Sequence, residues 1–450
     1  MKILLVLRSL FFVPRSWFRM LVCSLVVQTT AFSEPPSTKN QEQGTGAAAP
    51  FRPEPGKFPP VEKAHSYGGE LVFVDHANRR GSLRVRGAGM FRLNDPHPFA
   101  MLPYGIVRYH GAPADLRDIP LGTVLHVKGF LPPDPKISAV PVLPANSKEL
   151  DANHNRGAGI FPAENHVLLL EDEPSLCLRE GLVWKLKEVD LKNNAGLITA
   201  TRGPKHSGDA GGKEEKLTFD AATRVWRGKE CLRIADLIAD GTWPESGRKP
   251  LGGQAVQVGI TWKPTPGGVW NRFHLSDLWL DEAAIEQAAR FQTETHTAFI
   301  RSRWMPAWID TVEYGKAGRA TVTATFFGGM DASLYADFKP GGELVVNGAE
   351  NTLKHTGGHY GVRHIASKGR ILAVTQAGGQ APLGSSGFQV RFEVDTIIEA
   401  IRPMRVVRMA PGGWGGGYIP REEFIGDGTF GHEDRFPTPA IFPKYSLNVE

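Results

Sequence analysis

His355, His359 and His364 form the densest set of possible metal ligands in the chain, with Lys354 and Tyr360 beside them. Neutral imidazoles bind zinc and other transition metals, provided three or four ligands converge and outer hydrogen bonds orient them. The spacing matches no established metal run, and Gly357, Gly358 and Gly361 make the stretch a glycine-rich loop. The alternative is a polar surface loop with its histidines in ordinary hydrogen bonds. A second group is aromatic. Eight tryptophans lie between Trp184 and Trp308, counting both ends. Exposed, Trp226, Trp262 and Trp270 would stack on sugars or bases. Buried, they fill small cores, and Trp262, Trp270 and Trp279 sit in strands that alternate with polar residues, which favours burial. Cys177 and Cys231 make a third candidate, a disulfide if the chain is exported, the alternative being two separately buried thiols that act as small hydrophobes.

The remaining chemistry is excluded by pattern. No His-Glu-x-x-His, Cys-x-x-Cys or Gly-x-Ser-x-Gly occurs. Asp151, Asn153 and Asn155 alternate as at the start of a calcium loop, but Gly157 falls one place late and Pro162 stands where the bidentate Glu belongs. Gly212-Lys213 has Ser207 and Glu214 at the positions where a phosphate loop needs Gly and Ser or Thr. Glu422-Glu423 and Glu433-Asp434 are adjacent pairs, which point to opposite faces of an extended chain and make poor acid–base partners. No catalytic residue and no cofactor is assigned.

The elements that would carry such sites come from one cassette. Gly69–Val85 reads strand, tight turn, strand, and it recurs without a gap at Trp184–Ala200: Val189-Asp190 stands under Val74-Asp75, and Gly196 under Gly81. A shorter form opens at Ile309–Val312. Behind each hairpin follow alternating strands and a short turn ending in glycine, as at Asp118–Gly122 and Asp337–Gly341. The closing device appears twice in the third unit, at Phe338-Lys-Pro-Gly and Ile401-Arg-Pro-Met, each followed by a strand. Asp281–Ser302 is helical: Asp281 suits an N-cap, and Ile285, Ala288, Ala289, Gln292, His296, Phe299 and Ile300 share one face. A chain with 51 Gly and 34 Pro suits short strands and turns.

Compartment is read from the first residues. Lys2, Arg8, Arg15 and Arg19 precede or flank the apolar stretch Met20–Val27, far short of the ~20 residues that span a bilayer. Ala31 and Ser33 are small, so cleavage is expected after Ser33. Four positive charges leave with that segment, which holds no acid, so a net charge of +5 falls to about +1. The basic excess therefore belongs to the export signal and is no argument for nucleic acid.

The expected organisation is all-β: three tandem small OB-like barrels with one amphipathic helix between the second and third. Residues 1–33 are a signal peptide and 34–64 a disordered Pro/Gly/Gln-rich tether. Barrel 1 spans 65–147, barrel 2 spans 148–280, the bridging helix 281–306, barrel 3 spans 307–411, and an extended tail 412–450. The order hairpin, strand, turn, glycine, strand resembles the OB-type small barrel. It looks like the tandem barrels of exported bacterial proteins with no assigned activity. The third unit is also similar to the β-barrel of periplasmic efflux adaptors, whose Leu-Arg-Pro-Gly-Met-like turn matches Ile401-Arg402-Pro403-Met404 without its glycine. The expected function is an exported, non-enzymatic binding or scaffold protein of the periplasm or extracellular space. Its partner would be a cell-wall polysaccharide or an envelope protein, with no nucleic acid and no transmembrane span after signal cleavage. The alternatives are a metal-dependent enzyme at His355, His359 and His364, and polysaccharide binding through exposed tryptophans.

Overall fold

A computed structural model describes residues 51–414, apart from 55, 77–78, 86–96, 131–164, 206–211, 213, 265–270, 349–365 and 399. Residues 1–33, expected as a signal peptide, the calcium-like run, most of the glycine/lysine loop, the histidine loop and the tail beyond Trp414 lie outside the described residues. The protein is all-β, built from three small barrels with a bridging helix.

Barrel 1 contains β1 (His65–Asp75), β2 (Arg80–Val85), β3 (His97–Tyr109), β4 (Ala112–Ala114), β5 (Val124–Phe130) and β6 (Asn165–Asp172). Its ring runs β1-β2-β3-β6-β5 and back to β1, with β3 and β6 parallel and β4 an edge strand on β3. Here one boundary is corrected. His166–Leu170 falls in the span 148–280 expected for barrel 2, yet it closes barrel 1. Val167, Leu168, Leu169 and Leu170 are all buried, as a strand flanked on both edges and covered on both faces requires.

From β6 the chain turns into α1 (Glu173–Glu180) and enters barrel 2. Asp172 caps α1, and Gly181, at φ 67°, ends it in the left-handed region. Barrel 2 uses β7 (Leu182–Lys192), β8 (Ala195–Pro204), β9 (Glu214–Phe219), the edge hairpin β10 (Arg224–Arg227) and β11 (Glu230–Leu232), then α2 (Ile234–Ala239), β12 (Gly247–Pro264) and β13 (Asn271–Trp279). Its ring, β7-β8-β9-β13-β12, has the order of barrel 1, and again the third and last strands meet in parallel, here at Thr218 and His274.

The bridging helix, α3 (Glu282–Arg303), has its N-terminus capped by the Asp281 carboxylate, which accepts from Ala284 N. Arg408 donates to the carbonyls of Arg303 and Trp304 at its other end. Although α3 connects barrels 2 and 3, it covers the edge of barrel 1: Gln292 donates to Pro113 O on β4 and to Asp118 Oδ2. Barrel 3 comprises β14 (Met305–Tyr314), β15 (Ala320–Phe327), α4 (Ala332–Ala336), β16 (Glu343–Gly348), β17 (Ser367–Gln376), β18 (Ser385–Val394) and β19 (Val406–Pro411). Its closed ring β14-β15-β18-β17-β16-β19 is antiparallel throughout and has six strands. Barrel 3 thus shares the opening hairpin and departs from the ring order of the other two. The repeated closing device becomes a pair of neighbours, since β16 and β19 hydrogen-bond to each other while Phe338 and Ile401 are both buried in the same core.

The cassette is physical as well as sequential. Each opening strand carries a bulge one residue after a buried apolar side chain: between Leu71 and Phe73, between Leu186 and Glu188, and between Ile309 and Thr311. Gly81 and Gly196 each pair with an aromatic residue of the third strand. A Cβ on Gly81 would lie 2.6 Å from Phe99 Cζ, and one on Gly196 2.9 Å from Phe219 Cζ. The rings need those glycines.

The expected tether is corrected for residues 51–64. Phe51, Phe58 and Val61 pack into an aromatic cluster between barrels 1 and 3 with Tyr104, Phe130, Trp308 and Phe327. Phe58 stacks 4.3 Å from Trp308 and 5.1 Å from Tyr104, centroid to centroid. Composition suggested too little apolar surface to order this stretch, but a few aromatics suffice when they meet a ready-made slot.

Candidate functional site

The bulge in β1 decides where Phe73 points. Simple alternation would set Phe73 on the same face as Leu71, in the core. The extra residue, Val72, resets the alternation, so Leu71 is fully buried and Phe73 is 54% exposed. The matching positions after the other two bulges hold Glu188 and Thr311, ordinary outward-facing residues. Only barrel 1 presents a large aromatic there.

Phe73 borders a groove of about 770 Å³ between barrel 1 and α3. One wall is Phe73, Val74 and His76 at the end of β1. The floor is the 3-10 turn Leu116–Asp118 with Ile119 and Leu121, and the far wall is the α3 face bearing Thr295, Ala298, Phe299 and Ser302. Leu116 and Ile119 are core residues, whereas Leu121 is 62% exposed. Phe291, on the same α3 face as Thr295 by helical spacing, is 71% exposed. Two large apolar side chains that line the groove, Phe73 and Leu121, thus stand out in water.

The polar side of the groove is cationic. Two guanidinium groups lie over the Phe299 ring, the exposed Arg117 at 4.8 Å and the buried Arg303 at 5.3 Å from its centroid. Among the described residues one carboxylate lines it, Asp118, and it faces inward. Burial raises its pKa, while its Oδ2 accepts from Asp115 N and from Gln292. The Ser302 hydroxyl donates to Phe299 O, so it is engaged by its own helix. The groove therefore offers aromatic surface and positive charge, which suits binding an acidic, aromatic-bearing chain.

The residues singled out from sequence fall elsewhere. His355, His359 and His364 lie outside the described residues, as does Trp270. Among the described residues no group of three ligating side chains could hold a metal ion. Trp226 donates from Nε1 to Asp277 Oδ1 and packs against Trp279, and Trp262 is half-buried on the core of barrel 2. The expected bridge between Cys177 and Cys231 is corrected, since both thiols are free. Cys177 is buried in α1 and Cys231 is exposed on β11. Burial pushes the Cys177 thiol pKa up, which makes it unreactive.

Sequence reasoning also passed over Glu171, Asp172 and Glu173, three consecutive acids that are all buried where barrel 1 hands over to barrel 2. Each has its own partners. Glu171 takes the Arg179 guanidinium in a two-point pair. Asp172 accepts from the backbone of His110 and Ser175 and from the Ser175 hydroxyl. Burial raises its pKa to about 6 against the lowering effect of those bonds. Glu173 accepts from His126 Nε2 at 2.6 Å, Trp184 Nε1 at 2.8 Å and Arg202 at 2.9 Å. Burial alone would raise its pKa, but His126 and Arg202 outweigh that and hold it at about 2. A signal for this run was present: three acids directly after four aliphatic residues, followed by Pro-Ser, must start a helix at the end of a buried strand.

Comparison with known proteins found no matching family model, no matching curated protein and no matching solved structure.

Proposed function

We propose that this is an exported, non-enzymatic binding protein in which three barrels form a scaffold and the barrel 1–α3 groove takes an extended, acidic polypeptide segment carrying aromatic side chains. The observation that carries this reading is Phe73, which the bulge turns outward where the equivalent positions are Glu188 and Thr311. An exposed phenylalanine at a position that two sister copies fill with polar residues is costly for solubility unless something covers it. Arg117, exposed over the Phe299 ring at the groove, supplies positive charge there. Export is supported by the basic, apolar and small-residue order of residues 1–33. An OB-like assignment for barrels 1 and 2 is supported by their common ring order with parallel third and last strands. Resemblance to exported tandem-barrel proteins belongs to the same proposal.

The test is a titration of the full chain, lacking only residues 1–33, into a fluorescein-labelled peptide of Phe and Glu separated by Ser. Saturable anisotropy that weakens about tenfold in Phe73→Ser is the expected result, from the loss of a large half-exposed ring at the contact. Equal binding by Phe73→Ser, or no binding at all, would remove the groove from consideration.

A further inference from the structure

We propose that the groove beside α3 is occupied by the chain's own C-terminal tail, residues 415–450, which competes there with outside partners. That seat rests on the function proposed above, since the groove must first bind acidic, aromatic-bearing segments at all. The tail is such a segment. It carries Tyr418, Phe424, Phe430, Phe436 and Phe442, one aromatic ring every six residues. In an extended chain an even spacing puts these rings on one face. Between them lie Glu422, Glu423, Asp427, Glu433 and Asp434, against Arg421 and Arg435. Pro420, Pro437, Pro439 and Pro443 lack the N–H that a helix or an inner strand needs, which suits a segment laid down extended.

The point of exit fits. Trp414 is the last described residue, and it is fixed beside the C-terminal turn of α3. Its Nε1 donates to Asp337 Oδ2 at 3.0 Å, the same oxygen that accepts from Arg301 at 3.1 Å. The Arg301 guanidinium lies 5.9 Å from the Trp414 ring centroid. On the surface of α3, Arg301 neighbours Ala298, three residues back, and Ser302, both in the groove wall. The wall from Thr295 to Ser302 is about 10 Å long at 1.5 Å per residue. Ten residues of extended chain cover about 33 Å, so Phe424 reaches the groove even by a path around the helix, whose diameter is ~10–12 Å. Gly415, Gly416 and Gly417 leave the direction of that path open. At the groove, exposed Phe73 and Leu121 meet a ring of the tail, and Arg117 over Phe299 supplies positive charge for its acids.

The experiment repeats the groove titration on a variant carrying Tyr418→Ser, Phe424→Ser, Phe430→Ser, Phe436→Ser and Phe442→Ser together. A flexible connection gives an effective concentration on the order of 1 mM, so a tail with an affinity of ~100 µM weakens an outside competitor about tenfold. The labelled Phe/Glu/Ser peptide should therefore bind the serine variant about tenfold more tightly than wild type. Equal, saturable binding by both would overturn tail docking and leave the groove standing. No binding by either would remove the groove and the tail's seat together. Hydrogen–deuterium exchange without peptide reads the contact from both sides. Phe73→Ser should speed exchange at residues 418–442, and the serine variant should speed it at 72–75 and 116–121. Unchanged exchange in both variants would overturn the proposal, as would an effect that disappears on dilution, the mark of a neighbouring copy's tail.

Discussion

Glu173→Gln is the sharpest probe of how barrels 1 and 2 are joined. The carboxylate is 2% exposed and takes hydrogen bonds from His126, Trp184 and Arg202. Its pKa falls from an ordinary 4.5 to about 2. At ~1.4 kcal/mol per unit, the ionised form contributes ~3 kcal/mol to folding. A depressed carboxylate contributes that stability above its unfolded pKa and loses it as pH falls through the folded one, so the window runs from about 4.5 down to about 2. Glutamine keeps one acceptor oxygen but turns an NH2 group toward donors, leaving buried N–H groups and the Arg202 charge without a match. Urea unfolding at pH 7, followed by circular dichroism and tryptophan fluorescence, should therefore show a loss of ~3 kcal/mol. The same comparison near pH 2.5 should show a much smaller gap, because the wild-type carboxylate is then partly protonated. A variant within ~0.5 kcal/mol of wild type at pH 7 would refute the reasoning.

The neighbouring acid should behave with opposite sign. Asp172, with its pKa raised to about 6, destabilises the fold when ionised, so wild type gains stability as pH falls from 7 toward 4, and Asp172→Asn should flatten that slope in a pH series of melting curves. Phe58→Ala should cost about 2–3 kcal/mol by emptying the slot beside Trp308 and Tyr104, read as a lowered denaturant midpoint. In the β7–β8 hairpin, Asn193 and Asn194 have φ of 53° and 58°. Asn194→Gly should leave stability unchanged or raised, and Asn193→Val should lower it by about 1 kcal/mol.

Much of the fold was legible because the cassette imposes a two-residue period and marks its turns. The hairpin registers, the glycine-bearing turns and the α3 face from Ile285 to Ile300 all follow from local pattern. What sequence misread depended on long-range closure. The β6 strand falls within the span expected for barrel 2 because nothing local says that a ring already begun at His65 still lacks its last member. Residues 51–64 looked like linker because their few aromatics find partners more than 40 positions away, as Phe58 does at Tyr104. The acids at 171–173 carry no local sign of burial, because their cationic and N–H partners come from the turn after β3 and from β5, β7 and β8. Phe73 was hidden by alternation itself: only the bulge, visible once the three copies are compared in register, turns it outward.

Hydrogen–deuterium exchange of the intact chain, with and without the Phe/Glu peptide, tests the central claim most directly. The account predicts slowed exchange at residues 72–75, 116–121 and 295–303, the segments that line the groove, and unchanged exchange in barrel 3. Protection centred on barrel 3, or none anywhere at saturating peptide, would contradict it.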